Sequence, residues 1–410
     1  MCSPIPLNTV GGLDSGPLCA FTERYVAQVQ GLGYKSTSIR YHLRLLAGFN
    51  QWLLETRRGL SDIDELAIRG FLRSRRRRRT HQGERSILRR LCALLPSSIF
   101  LQGVKHSQGS ERTARIMEPY RHFLLHERGL VAHTVYAYTR WVDQFLSERF
   151  REQPMRLANL KGRDVTKFVQ RTVPRCGRAC AIHLVAALRS FCRFLRYAGH
   201  TETDLEPSVP PVAQWSLAGV PNHLSTGEVE KILAACDRRT CLGRRDHAIL
   251  LLLARLGLRG GEVLGLMLED IDWDSGTITI PVTKNRRGAR LPLPNDAGKA
   301  IAQYLRWDRP RCECRRVFVR TKAPYIGLSA SPVISMIAAK ALKRAGVQSA
   351  RTGAHVFRHS FATTMLARGA SLQEIGQLLR HNNPKTTAIY AKVDVEALRS
   401  IALPWPGGAR

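Results

Sequence analysis

Apolar positions recur at steps of three and four along most of this chain, a spacing that predicts helices packed through one face. In the first hundred residues the pattern places helices at 25–29, 37–53 and 86–95. Between them Ser61, followed by Asp62 and Glu65, reads as a capped helix start running to Leu72. A polar stretch at 105–113 precedes a second helical set at 120–128, 134–150, 164–171 and 179–198, with Gly129 as a break. The two sets share cues. Thr37 precedes Tyr41 by four residues, as Thr134 precedes Tyr138, and Asp62 precedes Phe71 as Asp164 precedes Phe168. The spacings differ by several residues, so the pattern fits either a duplicated unit or two unrelated helical bundles.

Residues 204–221 carry Pro207, Pro210, Pro211 and Pro221. Proline at that density predicts an extended connector, and the main domain boundary is expected there. Beyond it, Ser225 and Glu228 match a capping box opening a helix to Cys236, and an apolar helix follows at 244–258. Alternation predicts a strand at 277–282 after the turn Asp274-Ser275-Gly276, a second at 290–293 and a third at 316–320. Helix returns after Ser331. The expected fold class is therefore mainly α and multidomain: helical N-terminal domains, then a mostly α domain carrying a small three-stranded antiparallel sheet.

Composition narrows the partners. The chain has 410 residues, which suits two or three domains, and a formal charge of +32. Self-repulsion at that level is costly unless a polyanion neutralises it, so nucleic acid leads and an anionic membrane surface comes second. At 44% hydrophobic the chain can bury real cores, which excludes a disordered basic tail. The best apolar run, 248–258, is broken by Arg255 and is too short to span a bilayer. The first twenty residues lack the basic and apolar regions of a signal peptide. Ten cysteines show no C-x-x-C pair, and Cys312 with Cys314 forms a lone C-x-C lacking two further ligands. No metal or cofactor is expected, and the thiols read as reduced and the location as cytoplasmic.

Five pieces of the C-terminal half carry chemistry, and each is weak alone. Arg259 sits at a helix junction with Glu262 three residues on, as a surface arginine also would. Lys284 lies in the turn between two strands, where most lysines are simply solvated. His355 is alone among thirteen histidines in having an arginine, Arg358, at +3, and the two fall on one helical face. His381 follows a helix. Tyr390 rides a short helix opened by Asn383 and Pro384, where a packed core tyrosine would also fit. Together the five suit metal-free cleavage of a phosphodiester. Paired guanidiniums grip nonbridging oxygens as planar forks, a lysine protonates the leaving oxygen, histidines supply donors or a base, and a tyrosine attacks. An acidic cluster for two metals and a G-x-x-x-x-G-K-[ST] loop are both missing.

In order, type and spacing, Arg259, Lys284, His355-x-x-Arg358, His381 and Tyr390 resemble the tyrosine recombinases, or phage-integrase family. The surrounding strings GLRGGEVLGL, HVFRHSFATTMLARG and LLRHNNPKTTAIYAKV extend the resemblance over about 224–395. HERGLVAHTVYAYTRWVDQFL carries it more loosely over 116–205, as a core-binding, SAM-like helical domain. The resemblance implies that Arg259 and Arg358 bind the scissile phosphate and that Glu262 braces Arg259. It makes Lys284 the general acid, His355 a base or phosphate ligand, His381 a phosphate donor, and Tyr390 the nucleophile that forms a 3′-phosphotyrosyl bond without ATP or metal. Arg380 stands where the family usually has Gly.

The organisation implied is a lead-in at 1–20, an extra helical region at 21–104, the core-binding domain, a linker at 206–223, the catalytic domain and a tail at 396–410. The extra region resembles the long members found on transposons and other mobile elements. Implied partners are double-stranded DNA, further copies forming a tetramer on it, and companion recombinases. The run Arg75, Arg76, Arg77, Arg78 and Arg79 is a candidate DNA contact, or else a solvated basic helix end. Ala397, Leu398, Ile401 and Leu403 of the tail are expected to dock on a neighbouring subunit. Two other readings stay open: an accessory DNA-binding relative that needs partner recombinases, and a type IB topoisomerase.

Overall fold

The computed structural model describes residues 12–75, 82–95, 111–151, 154–212, 222–281, 288–329 and 331–393. They form two compact units, one of residues 61–70 and 97–216, the other of 1–60, 71–96 and 217–410.

In the unit that includes 97–216, four helices enclose one core: α5 (Glu111–His122), α6 (Ala132–Arg149), α7 (Gly162–Thr172) and α8 (Arg178–Tyr197). Their apolar stripes place Tyr120, Leu146, Leu184 and Phe191 at the centre. Burying each such side chain stabilises by about 1.5–3 kcal/mol, which is how a helical set of this size holds together. The Asp164 carboxylate accepts from the Lys161 amide at 3.0 Å and so closes the first turn of α7. The prolines that predicted a loose connector are in part ordered. Glu206–Ser208 forms a 3₁₀ turn, Val209 is buried in the same core, and the Ser208 carbonyl accepts from Thr166 at 2.7 Å. Residues 213–221 of the expected linker lie outside the described residues.

The other unit contains α1 (Cys19–Gly31), α2 (Ser36–Glu55), α4 (Gln82–Cys92) and the whole C-terminal half. α3 (Glu65–Ser74) starts later than expected, because Asp64, not Ser61, caps it through the Ala67 amide at 2.7 Å. In the C-terminal half the Ser225–Glu228 capping box is present and opens α9 (Thr226–Ala234). Then come α10 (Cys241–Leu256) and the short α11 (Gly260–Gly265). α10 is the central helix, with Ala248 through Leu253 all buried.

The sheet is three-stranded and antiparallel in the order β1 (Ile271–Asp272), β2 (Thr277–Ile280), β3 (Ala289–Pro292). Ile278 pairs with Ile271 on one side and Leu291 on the other, which puts one apolar face on the core. The strand expected at 316–320 is not part of it. Those residues make only isolated bridges, Met267 with Arg316 and Val319 with Gly327, and the third strand is the two-residue β1. The described residues continue through α12 (Asn295–Gln303), α13 (Ser331–Arg344), α14 (His355–Ala367), α15 (Leu372–Leu378), α16 (Pro384–Thr387) and a 3₁₀ turn at Ala388–Val393. Among the described residues no helix is long and apolar enough to cross a membrane.

Candidate active site

Three stretches of chain build the site. The first is the end of α10. Gly257 caps it in the left-handed conformation (φ 57), and a Cβ there would sit 2.9 Å from both Leu379 Cδ2 and Phe361 Cδ1. Glycine thus meets both the backbone angle and the close approach. The next residues turn into α11 with Arg259 at its N-cap and Glu262 at its third position.

Glu262 is buried and its carboxylate is fully used. Oε1 accepts from Arg259 Nη1 at 2.9 Å, and Oε2 accepts from the Arg259 amide at 2.8 Å and from Arg380 Nη2 at 2.9 Å. Burial alone would raise its pKa; the Arg259 amide, Arg380 and the Arg259 guanidinium outweigh burial and hold it below the usual carboxylate range.

Arg358 lies on the first turn of α14 and is 4% exposed. Its Nη1 donates to the Gly257 carbonyl at 2.6 Å and its Nη2 to the Leu379 carbonyl, pinning the ends of α10 and α15 together. Both are helix-end carbonyls with no intrahelical partner. Burial, and then the charge of Arg259, push the Arg358 pKa down to about 9, which leaves it a cation at neutral pH. His355, one turn earlier, is the exposed first residue of α14. The shared face expected for the pair therefore holds along the helix but not in burial.

The third stretch starts at the end of α15. The Arg380 amide donates to the Gln377 carbonyl and the His381 amide to the Gly376 carbonyl, both at 2.9 Å. This is the paired closure of a Schellman end, which requires a left-handed residue. Here that residue is Arg380 (φ 55), although a side chain in that conformation costs about 1–2 kcal/mol. The closure fixes His381, whose Nδ1 lies 2.8 Å from Thr387 Oγ1. Burial and the charges of Arg358, Arg259 and Arg380 lower the His381 pKa to about 4.

Asn383 caps α16 by accepting from the Lys385 amide at 3.0 Å, as expected, but Tyr390 sits beyond it on the 3₁₀ turn. Tyr390 is 1% exposed, packed with Ala362, Ile375 and Leu379. Its hydroxyl lies 3.0 Å from His359 Nδ1. Burial raises the phenol pKa, with Arg358 and Arg259 opposing. Burial, with the nearby His355 charge, lowers the His359 pKa to about 4, so this ring is neutral at pH 7.

The structure therefore brings Arg259, Glu262, Arg358, His381 and Tyr390 into one cluster. Lys284, Arg76 through Arg79 and the tail residues Ala397 to Leu403 lie outside the described residues. Arg75 is described: its Nη1 lies 3.2 Å from Glu84 Oε1 and its guanidinium 5.7 Å above the Phe71 ring. Sequence reasoning missed His359, which directly follows Arg358 inside a string it had singled out, and it noticed Arg380 only as a departure. Among the described residues no three His, Cys, Asp or Glu side chains are grouped to hold a metal.

A buried tyrosine near two arginines and two histidines sits on a mostly helical domain with a small three-stranded sheet, the fold class expected from the sequence. Comparison with known proteins agrees. The phage integrase family matches residues 222–397, and the phage integrase N-terminal SAM-like domain matches 117–199. A Sinorhizobium fredii chain named as an integrase/recombinase, y4rA, is 41% identical over 396 residues, covering 96% of each chain. The tyrosine recombinase XerD of Listeria monocytogenes is 32% identical over 294 residues, 70% of this chain and 96% of its own. Among solved structures, XerH bound to its difH substrate aligns with a TM-score of 0.53 at 18% identity, covering 82% of this chain and 93% of that one. The Tn1549 transposon integrase with circular intermediate DNA also gives 0.53, at 14% identity over 69% of this chain and 99% of that one. The chain belongs to the phage integrase family of tyrosine recombinases, enzymes that cleave and rejoin DNA.

Proposed function

We propose that this chain is the site-specific recombinase of a mobile element, with Tyr390 as its nucleophile. The Tyr390 oxygen attacks the scissile phosphate, an Oη–P bond forms, the P–O5′ bond breaks, and the 3′ end stays on the protein as a phosphotyrosine. Arg259 and Arg358 take the nonbridging oxygens, where developing charge in a dry site is worth most. Glu262 braces Arg259. Lys284 delivers the proton to the leaving 5′-oxygen, and His355 and His381 supply a base and a donor. In the tautomer protonated on Nε2, His359 accepts a hydrogen bond from the Tyr390 hydroxyl through Nδ1 and aims the phenol, whose proton passes to the histidine base as the Oη–P bond forms. The linkage keeps the bond energy, so rejoining needs neither ATP nor metal.

The observation that carries this reading is the single cluster that gathers buried Glu262, Arg358 and Tyr390 with half-buried Arg259 and His381 from three separate stretches of chain. Because Tyr390 is 1% exposed, attack requires the 388–393 turn to lift toward DNA. The Tn1549 transposon integrase and the near full-length likeness to an integrase/recombinase support transposition or integration as the biological setting. Exchange between two duplexes calls for four copies on DNA, joined by companion recombinases where one chain does not suffice. We also propose the domain order lead-in, extra helical region, core-binding domain, linker, catalytic domain and tail, with the +32 charge spread along the DNA-facing side.

Covalent trapping tests the proposal. Nicked suicide duplexes from DNA flanking the chain's own gene are incubated with the protein and run on a denaturing gel beside Tyr390→Phe. An adduct in wild type and none in the variant is expected. An adduct in both assigns the nucleophile elsewhere.

A further inference from the structure

Arg380 has no role in the chemistry just proposed, yet it occupies an expensive position. It is one of two non-glycine residues with positive φ among those described, and its side chain is 2% exposed. Nη1 donates to the Leu378 carbonyl at 2.9 Å, Nη2 to Glu262 Oε2 at 2.9 Å, and the buried Nε has no hydrogen-bond partner. Glycine would close this helix end without strain. A buried cation with an unpartnered donor in a left-handed position is retained where its side chain does something, and such outliers cluster at functional sites.

We propose that Arg380 is a positioning residue for DNA strand cleavage: by holding Glu262 Oε2 it fixes the carboxylate that orients Arg259, and it offsets that carboxylate's charge so that Arg259 keeps its own for the phosphate. The inference rests on the reading of Arg259 as a phosphate ligand. The geometry supports an indirect role. Both terminal nitrogens of Arg380 are committed, one to a carbonyl and one to Glu262, so it works through Glu262 and not on the substrate. Without it, the hydrogen bonds to the Glu262 carboxylate come from Arg259 alone, through the amide and Nη1. With it, three guanidiniums (Arg259, Arg358 and Arg380) surround one carboxylate, and the cluster carries net positive charge toward an incoming phosphate.

The test uses the full chain and the suicide duplex. Arg380→Gly removes the pair and relieves the backbone; Arg380→Lys keeps the charge and loses the fork. We measure the single-turnover rate of adduct formation at saturating protein, the adduct amplitude, the duplex Kd and the thermal midpoint. For Arg380→Gly the expected result is a rate lower by roughly 10- to 100-fold, the effect of a slightly misplaced reacting group, with amplitude unchanged and Kd within about threefold. Arg380→Lys recovers some of the rate. In an Arg380→Gly, Glu262→Gln double variant the second change adds little, because both act on one contact. A rate within twofold of wild type for Arg380→Gly overturns the proposal, as does a loss that tracks only the folded fraction. If Arg380→Gly fails to fold, the Arg380→Lys rate decides on the same terms. Arg259→Ala separates the two levels. If it cleaves normally, the phosphate-ligand reading falls and this inference with it; if it is inactive while Arg380→Gly is normal, only this inference falls.

Discussion

Replacing Glu262 by Gln changes shape least and charge most, so it probes the electrostatic frame of the site. The carboxylate receives three donors, the Arg259 amide, Arg259 Nη1 and Arg380 Nη2, at 2.8–2.9 Å. A glutamine keeps one acceptor oxygen and turns an NH₂ toward donors that have nothing to give it. Removing one partner of a buried ion pair typically costs about 3–5 kcal/mol, because the remaining charge is left uncompensated. The retained amide oxygen moderates this, and we expect about 3 kcal/mol in urea unfolding followed by circular dichroism at pH 7. The pH dependence has a definite sign. The folded pKa of Glu262 is depressed, so its stabilisation is fully present above the unfolded value near pH 4.3 and is lost as pH falls through the folded value. The gap between wild type and Glu262→Gln should therefore be constant above about pH 5 and shrink below about pH 4. A variant within about 0.5 kcal/mol of wild type at pH 7, or a gap that widens on acidification, would refute the reasoning.

Two further predictions concern backbone geometry and buried histidines. Gly257→Ala combines a left-handed alanine, about 1–2 kcal/mol, with a Cβ that overlaps Leu379 and Phe361, about 1–3 kcal/mol more. Differential scanning should show the thermal midpoint lower by roughly 5–12 °C, and an unchanged midpoint would mean the α10 end adjusts freely. His42, His359 and His381 all have folded pKa values lowered to about 4, burial being the main cause. The unfolded chain binds protons near pH 6.5 that the native state refuses, so stability is full above that pH and declines toward pH 4. Each residue contributes at most about 1.4 kcal/mol per pH unit, and urea midpoints that stay flat from pH 7 to 5 would contradict this.

Where the chain states its own local chemistry, the sequence was readable. The Ser225–Glu228 box and the Asn383-Pro384 start both follow from side-chain and backbone preferences within four residues, whereas the apolar helix expected to reach 258 stops at Leu256 before the left-handed Gly257. Reading failed where a long-range partner decides. The two residues of β1 show no alternation, and they become a strand only because Ile278 pairs with Ile271; residues 316–320 look like a strand but find only isolated bridges. The motif spacing singled out Arg259, Arg358, His381 and Tyr390, but residue type does not specify contacts. His359 meets Tyr390 across 31 positions, and Arg380 meets Glu262 across 118. Neither contact leaves a periodic trace.

Arg358 shows why the pieces of this site answer differently to mutation. Its two terminal nitrogens close the open carbonyls of Gly257 and Leu379, so the ends of α10 and α15 meet through this one side chain. Removing it strands two buried acceptors and loosens Arg259, which follows Gly257 by two residues, and His381, which follows Leu379 by two. Loss of cleavage in Arg358→Ala would therefore report the collapse of the arrangement as much as the loss of a phosphate contact. Tyr390→Phe keeps the packing against Ile375 and Leu379 and gives up only the hydroxyl and its bond to His359. Because Arg358 holds the scaffold whatever its part in the chemistry, the proposed nucleophile, not the arginine, is the informative position to change first.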